Sequence, residues 1–421
     1  MKTTYQYRLR PNKRQAQIFE SWLELCRKQY NFRLDERLSW WSENRCPVNS
    51  CSLVSCSIAP PREQPNYYEQ KKDLKTSKQL FPEYGDVHSQ VLQNVVERVK
   101  KVYERYTVPD KNGKRSGKPR YKKVGRYRSF TFPQMKVDSI QGNRINLPKI
   151  GLVKMIVHRP IPVGFQLKTT TIVKKAEHWY ISLVLEDVSI PEFIPDIIPT
   201  AENTVGIDVG VNSFLVTSDN EVIKNPRWYR KSEKRLALLQ QNLSKTKRGS
   251  RRRRHLGKKL SKTHNKIANQ RRDFHHKTAK LLVDNHEVIA HEDLAVKNMS
   301  KRVAPKIDDE GKYLPNNQSQ KSGLNKSIID CGWSQFLSIL TVKAAKAGRL
   351  CVAVNPSGTS QKCSNCNQDV PKKLKDRWHS CPHCGASLDR DLNAALNVKQ
   401  KLIQRRSVGR HDRNAQAVLN S

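Results

Sequence analysis

Val205-Gly206-Ile207-Asp208-Val209-Gly210 reads as a short apolar strand with its one charged residue near its end and a glycine two places on. A carboxylate in that place is costly to bury without a cation beside it. Working downstream, Ser213–Thr217 is a second strand, Asp219-Asn220 a turn and Glu221–Ile223 a third short strand. A long polar helical stretch runs from about Trp228 to Asp284. The apolar strand Glu287–His291 follows and ends at Glu292. A polar, poorly patterned stretch (Asn298 to Ser322) precedes a helix at Lys326–Ala347 and a strand at Leu350–Val354. Strands alternating with helices predict an α/β layer.

Upstream the rhythm is different. The chain opens with an alternating strand, Tyr5, Tyr7 and Leu9 on one face, stopped by Pro11. Asn12 can cap a helix with apolar residues at Ile18, Phe19, Trp22, Leu23 and Cys26. From Cys46 to about Tyr84 the sequence is irregular; helical periodicity returns at Val87, Val91, Val95, Val99, Val102 and Tyr106. Asp110 to Lys123 reads as a basic linker. Short alternating segments follow at Arg128–Phe132, Arg144–Leu147, Leu152–Val157, Gln166–Val173 and Trp179–Leu185, which predict a small antiparallel barrel. Pro191 to Pro199 is a Pro-rich boundary before the α/β part.

The 421 residues carry 79 Lys+Arg against 38 Asp+Glu, a net charge of +41. Such a surface self-repels unless a polyanion neutralises it, so nucleic acid is the expected partner. Seven Trp and 13 Tyr argue for folded cores rather than disorder. No apolar run approaches the ~18 residues of a membrane-spanning helix, so no membrane is expected as a partner. The opening residues lack a signal-peptide core, so the expected location is the cytoplasm of a prokaryote, in association with the nucleoid. Ten cysteines in such a protein favour metal ligation over disulfides.

Three constellations carry chemistry. Cys363-Ser-Asn-Cys366 and Cys381-Pro-His-Cys384, 14 residues apart, supply four thiolates that can close tetrahedrally on one structural Zn²⁺. Asp208, Glu292 and Asp391 stand at strand or helix ends. Each alone can be a carboxylate satisfied by backbone N–H groups, Asp391 as a helix cap. Together they can hold two Mg²⁺ ions, the arrangement that clamps the attacking and leaving oxygens in phosphodiester hydrolysis. From Lys245 to Arg272 there are 13 Lys/Arg and no acid. Read as one long helix, that stretch puts positive charge on every face, with Arg251, Arg252, Arg253, Arg254, Lys258 and Lys259 as candidate phosphate contacts. His275-His276 sits among basic residues and also reads as a phosphate contact. Trp40, Trp41, Tyr67 and Tyr68 can stack on unpaired bases, although packing between helices is the favoured reading. The spacing of Cys46, Cys51 and Cys56, without a clear fourth ligand, reads as a loop. No hydrolase triad and no Gly-rich phosphate loop is visible.

The strand ending in Asp208, Glu292-Asp293-Leu294, Thr359-Ser-Gln-Lys-Cys363-Ser-Asn-Cys366 and Asp389-Arg-Asp391-Leu-Asn-Ala-Ala resemble the TnpB family. Looser matches extend the resemblance over nearly the whole chain: Tyr5–Pro11, Gly117–Lys122, Ser129–Pro133 and Gly332–Phe336. These are transposon-encoded RNA-guided DNA endonucleases, considered ancestors of the type V CRISPR effectors. The resemblance implies a multidomain α+β fold: a wedge β-barrel with an inserted helical recognition domain, then a RuvC-like, RNase H-type nuclease with an inserted zinc ribbon. The corresponding limits are 1–10 and 119–199 for the wedge, 11–118 for recognition, 200–355 and 389–421 for the nuclease, and 356–388 for the ribbon. It implies guide RNA and target double-stranded DNA as partners. It implies cleavage beside a short motif that the protein reads, with Asp208, Glu292 and Asp391 as the catalytic acids and Asp389 ranked behind Asp391. Three other readings share these features: a miniature CRISPR effector nuclease, an RNA-guided DNA-binding protein without cleavage, and a guide-free strand transferase.

Overall fold

The computed structural model describes residues 2–44, 63–161, 163–186, 197–372 and 376–407. The triplet Cys46, Cys51 and Cys56 lies outside the described residues. The chain forms two compact units, Met1–Pro191 and Glu192–Ser421.

In the first unit, β1 (Lys2–Arg10) leads into α1 (Lys13–Asn44). Asn12 starts that helix with a capping box: its Oδ1 accepts from the Gln15 N–H at 2.8 Å, and Gln15 Oε1 accepts from the Asn12 N–H at 3.1 Å. The stretch expected to be irregular up to Tyr84 in fact holds two short helices, α2 (Tyr67–Lys72) and α3 (Leu74–Leu80). Asn66 and Glu69 form a second capping box at the start of α2. Polar helices this short show no apolar period long enough to recognise. α4 (Ser89–Thr107) buries Val91, Val95 and Val99 as its period predicts. The basic stretch 110–123 begins with a turn over Asp110–Lys114 and ends against α1, where Tyr121 donates to Asp35 at 2.6 Å and the Lys122 N–H to Asn31 at 2.7 Å.

Six further strands complete this unit: β2 (Ser129–Phe132), β3 (Ile140–Gln141), β4 (Arg144–Leu147), β5 (Gly151–Ile156), β6 (Gln166–Lys175) and β7 (His178–Glu186). The order is β2-β6-β7-β1-β5-β4-β3, antiparallel throughout. Among the described residues β2 and β3 do not pair, so the sheet is a curled half-barrel with those two strands as its edges, part of the barrel that sequence predicts. Helices cover what closure would have buried. Phe19 and Trp22 of α1 meet Phe130 at 5.8 and 5.4 Å, and Phe19 meets Trp179 at 4.9 Å. Helices and sheet thus share one core.

The second unit is an α/β layer. Its sheet joins β8 (Thr204–Val209), β9 (Ser213–Thr217), β10 (Val222–Lys224), β11 (Val288–Glu292) and β14 (Leu350–Val354) in the order β10-β9-β8-β11-β14. β8, β11 and β14 run parallel; β9 is antiparallel to β8, and β10 is antiparallel to β9. The polar stretch after β10 is two helices, not one: α5 (Trp228–Ser244) and α6 (Arg251–Asn285). Gly249, at φ +84°, makes the turn between them, and the Ser250 hydroxyl caps α6 at the Arg253 N–H. The expected helix at 326–347 also divides, into α8 (Gln318–Cys331) and α9 (Trp333–Lys346). Gly332, at φ +66°, sits between them. Minor elements are α7 (Val296–Met299) and two small hairpins, β12 (Lys306–Ile307) with β13 (Tyr313–Leu314), and β15 (Trp378–Ser380) with β16 (Ser387–Asp389).

The sheet residues alternate between two helix layers. Val205, Ile207 and Ile289 pack against α6, α8 and α9, including Leu282, Phe336 and Leu340. Val288, Ala290 and Val354 face α10 (Arg390–Ser407), through Val398 and Leu402. No described helix is long and apolar enough to cross a membrane.

Candidate active site

The period of two along the strands decides where the acids point. Gly206 and Asp208 share one face of β8; Ala290 and Glu292 share the same face of β11, which pairs in parallel with β8 through His291 and Ile207. This is the face that α10 covers, and Asp391 lies in the first turn of α10. Asp208 and Glu292 therefore stand at the carboxyl ends of two parallel strands, where open α/β sheets bind their ligands, and Asp391 comes close enough to Asp208 for its charge to be felt there. Asp208 is the acid that feels both others: burial first, then the charges of Glu292 and Asp391, push its carboxyl up to about 8. Burial also raises Glu292, which is 9% exposed, and raises Asp391 together with the charge of Asp389. Burial and mutual charge thus disfavour the ionised form at all three carboxyls.

Asp389 has a different occupation. Its Oδ1 accepts from the Asp391 and Leu392 N–H groups at 2.8 and 3.3 Å, so Asp389 is the cap that starts α10. Asp391 is left free of that duty and points toward β8: its Oδ2 lies 4.0 Å from where a Cβ on Gly210 would be.

Sequence reasoning missed how α10 is held. A Cβ on Gly206 would stand 2.1 Å from the Ala395 carbonyl oxygen, so only a glycine lets helix and strand meet there. On another side of α10, Asn393, Asn397 and Gln400 hold the segment from Thr359 to Ser364. Asn397 donates to the Thr359 and Lys362 carbonyls at 2.8 Å each, and Gln400 donates to the Ser364 carbonyl at 2.7 Å. Thr359 in turn contacts Glu292, Oγ1 to Oε1, at 2.5 Å. The available signal was a polar stripe at i, i+4 and i+7 on a helix otherwise rich in apolar residues.

The cysteines converge. The sulfurs of Cys363, Cys366, Cys381 and Cys384 all lie within 4.8 Å of one another, with Cys363 to Cys384 at 3.7 Å and Cys366 to Cys381 at 3.6 Å. Tetrahedral zinc with bonds of about 2.3 Å needs sulfurs roughly 3.8 Å apart, so the cluster fits that ion. Each knuckle turns through a left-handed residue just after its second cysteine, Asn367 (φ +60°) and Gly385 (φ +72°). Among the described residues, these four sulfurs are the group of metal-ligating atoms that converges on a single point.

The basic residues divide. Arg251, Arg252, Arg254, Lys258 and Lys259 are exposed on α6. Arg253 is turned inward and donates to the Leu243 and Thr246 carbonyls at 2.5 and 2.9 Å, closing the end of α5. His275 is a correction: it is fully buried, stacked on Phe214 at 5.5 Å, with Nε2 2.9 Å from the Cys331 carbonyl oxygen. It belongs to the core and cannot reach a phosphate. In the first unit, Trp41 packs on Tyr103 and Tyr106, as the favoured reading had it, whereas Tyr68 is 77% exposed.

Known protein families match three parts of the chain. The family described as "Probable transposase" matches residues 194–303, "Cas12f1-like, TNB domain" matches 333–398, and "Helix-turn-helix domain" matches 1–46. The described part of that last segment is one strand and one 32-residue helix. "Putative RNA-guided DNA endonuclease InsQ" of Escherichia coli (strain K12) is 34% identical over 316 residues, 74% of this chain and 74% of that protein. A "Putative RNA-guided DNA endonuclease" of Streptomyces pristinaespiralis is 29% identical over 94% of this chain and 89% of its own length. Among solved structures, "Cryo-EM structure of the Cas12f1-sgRNA-target DNA complex" is similar over 95% of this chain and 99% of that one, at 16% identity and a TM-score of 0.33.

Proposed function

The chain belongs to the TnpB family of RNA-guided DNA endonucleases, related to the type V effectors, and from that premise we propose how its residues divide the work. The second unit is a RuvC-like nuclease over 200–355 and 389–421, with a zinc ribbon at 356–388. The first unit comprises the wedge (1–10 and 119–199) and the recognition helices (11–118). Guide RNA selects the target by base pairing, and the protein reads a short duplex motif beside it.

The observation that supports this reading is that Asp208 and Glu292 share one face at the ends of β8 and β11, with Asp391 in the first turn of the helix that covers that face. These three carboxylates would hold magnesium, which would supply Lewis-acid charge to the scissile phosphodiester and lower the pKa of an attacking water. Asp208, whose carboxyl feels the charges of both Glu292 and Asp391, would be the central one of the three carboxylates holding the metal. Zinc bound by Cys363, Cys366, Cys381 and Cys384 is structural, since all four ligands come from the protein. The exposed Arg251, Arg252, Arg254, Lys258 and Lys259 grip phosphate, which gives affinity and register without reading sequence. Sequencing the RNA that co-purifies with the protein, then assaying cleavage of a matching duplex with Mg²⁺, tests the reading. A preparation free of RNA, or one that cuts without it, overturns it.

A further inference from the structure

The Glu292 carboxylate is not held by its strand alone. Thr359 Oγ1 lies 2.5 Å from Glu292 Oε1 and 2.8 Å from the Pro356 carbonyl oxygen. A hydroxyl has one hydrogen for these two acceptors, and an ionised carboxylate is the stronger one. With Glu292 charged, as a metal ligand must be, the hydrogen belongs to Glu292.

Thr359 is itself fixed from behind. It is 1% exposed, and its own carbonyl accepts from Asn397 Nδ2 at 2.8 Å. Three residues on, the Lys362 carbonyl accepts from both Asn393 and Asn397, at 2.8 Å each. Ser364, inside the first cysteine knuckle, donates its N–H to Asn393 Oδ1 at 3.0 Å and accepts from Gln400 at 2.7 Å. One short segment thus carries both the hydroxyl that touches Glu292 and the first two cysteines. It is bonded at three carbonyls and one N–H to the helix that bears Asp391.

We propose that Thr359 is a positioning residue that fixes the Glu292 carboxylate for its metal, and that the first cysteine knuckle and the Asn393–Asn397–Gln400 stripe hold Thr359 in register. The proposal rests on the carboxylate site argued above. It gives the ribbon a second consequence besides folding, since disturbing the knuckle disturbs a metal ligand.

The test uses the full-length, zinc-loaded chain with Thr359→Val, which keeps shape and removes the hydroxyl, and Thr359→Ser, which keeps the hydroxyl. Calorimetric titration with Mn²⁺ in the absence of RNA reads metal affinity directly. Guided cleavage over a range of Mg²⁺ reads the consequence. Loss of a hydrogen-bond partner behind a metal ligand typically costs about 10–100-fold in affinity or activity. T359V should bind Mn²⁺ weaker by about that factor, cut poorly at low Mg²⁺ and recover in part at high Mg²⁺, while T359S restores both. If T359V melts below the assay temperature, Thr359→Ala against Thr359→Ser carries the same comparison. Equal Mn²⁺ affinity and Mg²⁺ dependence with and without the hydroxyl, while Asp208→Ala is inactive, overturn the role of Thr359 alone. If Asp208→Ala also cuts like wild type, the carboxylate site itself is wrong.

Discussion

Gly206 on β8 and Ala395 on α10 meet backbone to backbone: a Cβ on Gly206 would sit 2.1 Å from the Ala395 carbonyl oxygen and 2.7 Å from the Lys399 backbone nitrogen. Backbone atoms cannot swing aside as a side-chain end can, so Gly206→Ala has to lift α10 off the sheet. Overpacking of this kind costs about 1–3 kcal/mol or more. The same movement carries Asp391 away from Asp208 and loosens the segment before the first knuckle. Gly206→Ala is expected to lower the melting temperature of the second unit and to cut DNA far more slowly. Melting and cleavage on one preparation check it, and a variant equal to wild type in both would refute the close contact.

His275 gives the second unit an acid-sensitive core. Burial holds its imidazole down at about 4, against an ordinary value near 6.5. Between those values the unfolded chain takes up a proton that the folded chain refuses, so stability rises with pH across the window and is lost as pH falls through it. A shift of this size corresponds to about 3 kcal/mol, present above pH ~6.5 and gone by pH ~4. Denaturant unfolding at pH 7 and pH 5 should show that loss beginning, and His275→Phe, which cannot protonate, should flatten it. An identical pH slope in the variant would count against the buried neutral imidazole.

What could be read in the sequence, and what could not, follows from the range of the interactions. The strands at 129–132, 144–147 and 166–175, the four cysteines and the strand-end positions of Asp208 and Glu292 were legible because alternation, CxxC spacing and a charge ending an apolar run are local patterns. The division of 228–285 into α5 and α6 was signalled by Gly249-Ser250 but masked by a stretch from Lys245 to Arg272 dense in Lys/Arg and free of acids. The split at Gly332 was hidden because helical glycines are tolerated and only the left-handed φ of +66° ends the helix. Thr359, Asn397 and Gly206 could not be assigned roles, because their meaning lies in contacts with residues up to two hundred positions away. His275 was misread for the same reason: its neighbours in sequence are basic, while its neighbours in space are Phe214 and Phe336.

Zinc should hold the second unit together rather than do chemistry. Cys381→Ser leaves three sulfurs and an open position in a type of site that contributes roughly 10 kcal/mol or more in isolated zinc peptides. The expected result is loss of about one zinc per chain, by elemental analysis, and a less soluble protein. A fully soluble variant with wild-type cutting would be the contrary outcome.

The basic helix offers an internal control. Arg251, Arg252 and Arg254 are exposed, whereas Arg253 is spent on the Leu243 and Thr246 carbonyls. Replacing the three exposed arginines by Gln should weaken guide-RNA binding and flatten log K against log salt by about one unit per lost phosphate contact. Arg253→Gln should instead destabilise the α5–α6 turn and leave the salt slope unchanged. Equal slopes for both variants would return this segment to a solvated surface.

The carboxylates separate an enzyme from an RNA-guided binder without cleavage. On the proposed mechanism, Asp208→Ala, Glu292→Ala or Asp391→Ala would remove a hard-oxygen donor from ions that stabilise the reacting charge. Binding rests on Lys/Arg contacts and base pairing, which these changes leave alone. Each variant should bind guide and target about as well as wild type and cut at least ~100-fold more slowly, the order expected for losing one electrostatic stabiliser. Asp389 is the discriminating case, because its Oδ1 caps α10 at the Asp391 and Leu392 N–H groups. Removing such a cap costs about 1 kcal/mol of helix stability, so Asp389→Ala should cut more slowly only to the extent that Asp391 drifts. Asp389→Asn, which keeps an acceptor oxygen and loses the charge, should cap nearly as well and cut at close to the wild-type rate. Time courses with Mg²⁺, run beside a binding assay on the same preparations, decide the matter. Wild-type cutting by Asp208→Ala would end the nuclease assignment, and loss of cutting in Asp389→Asn with activity kept in Asp391→Ala would move the third ligand to Asp389.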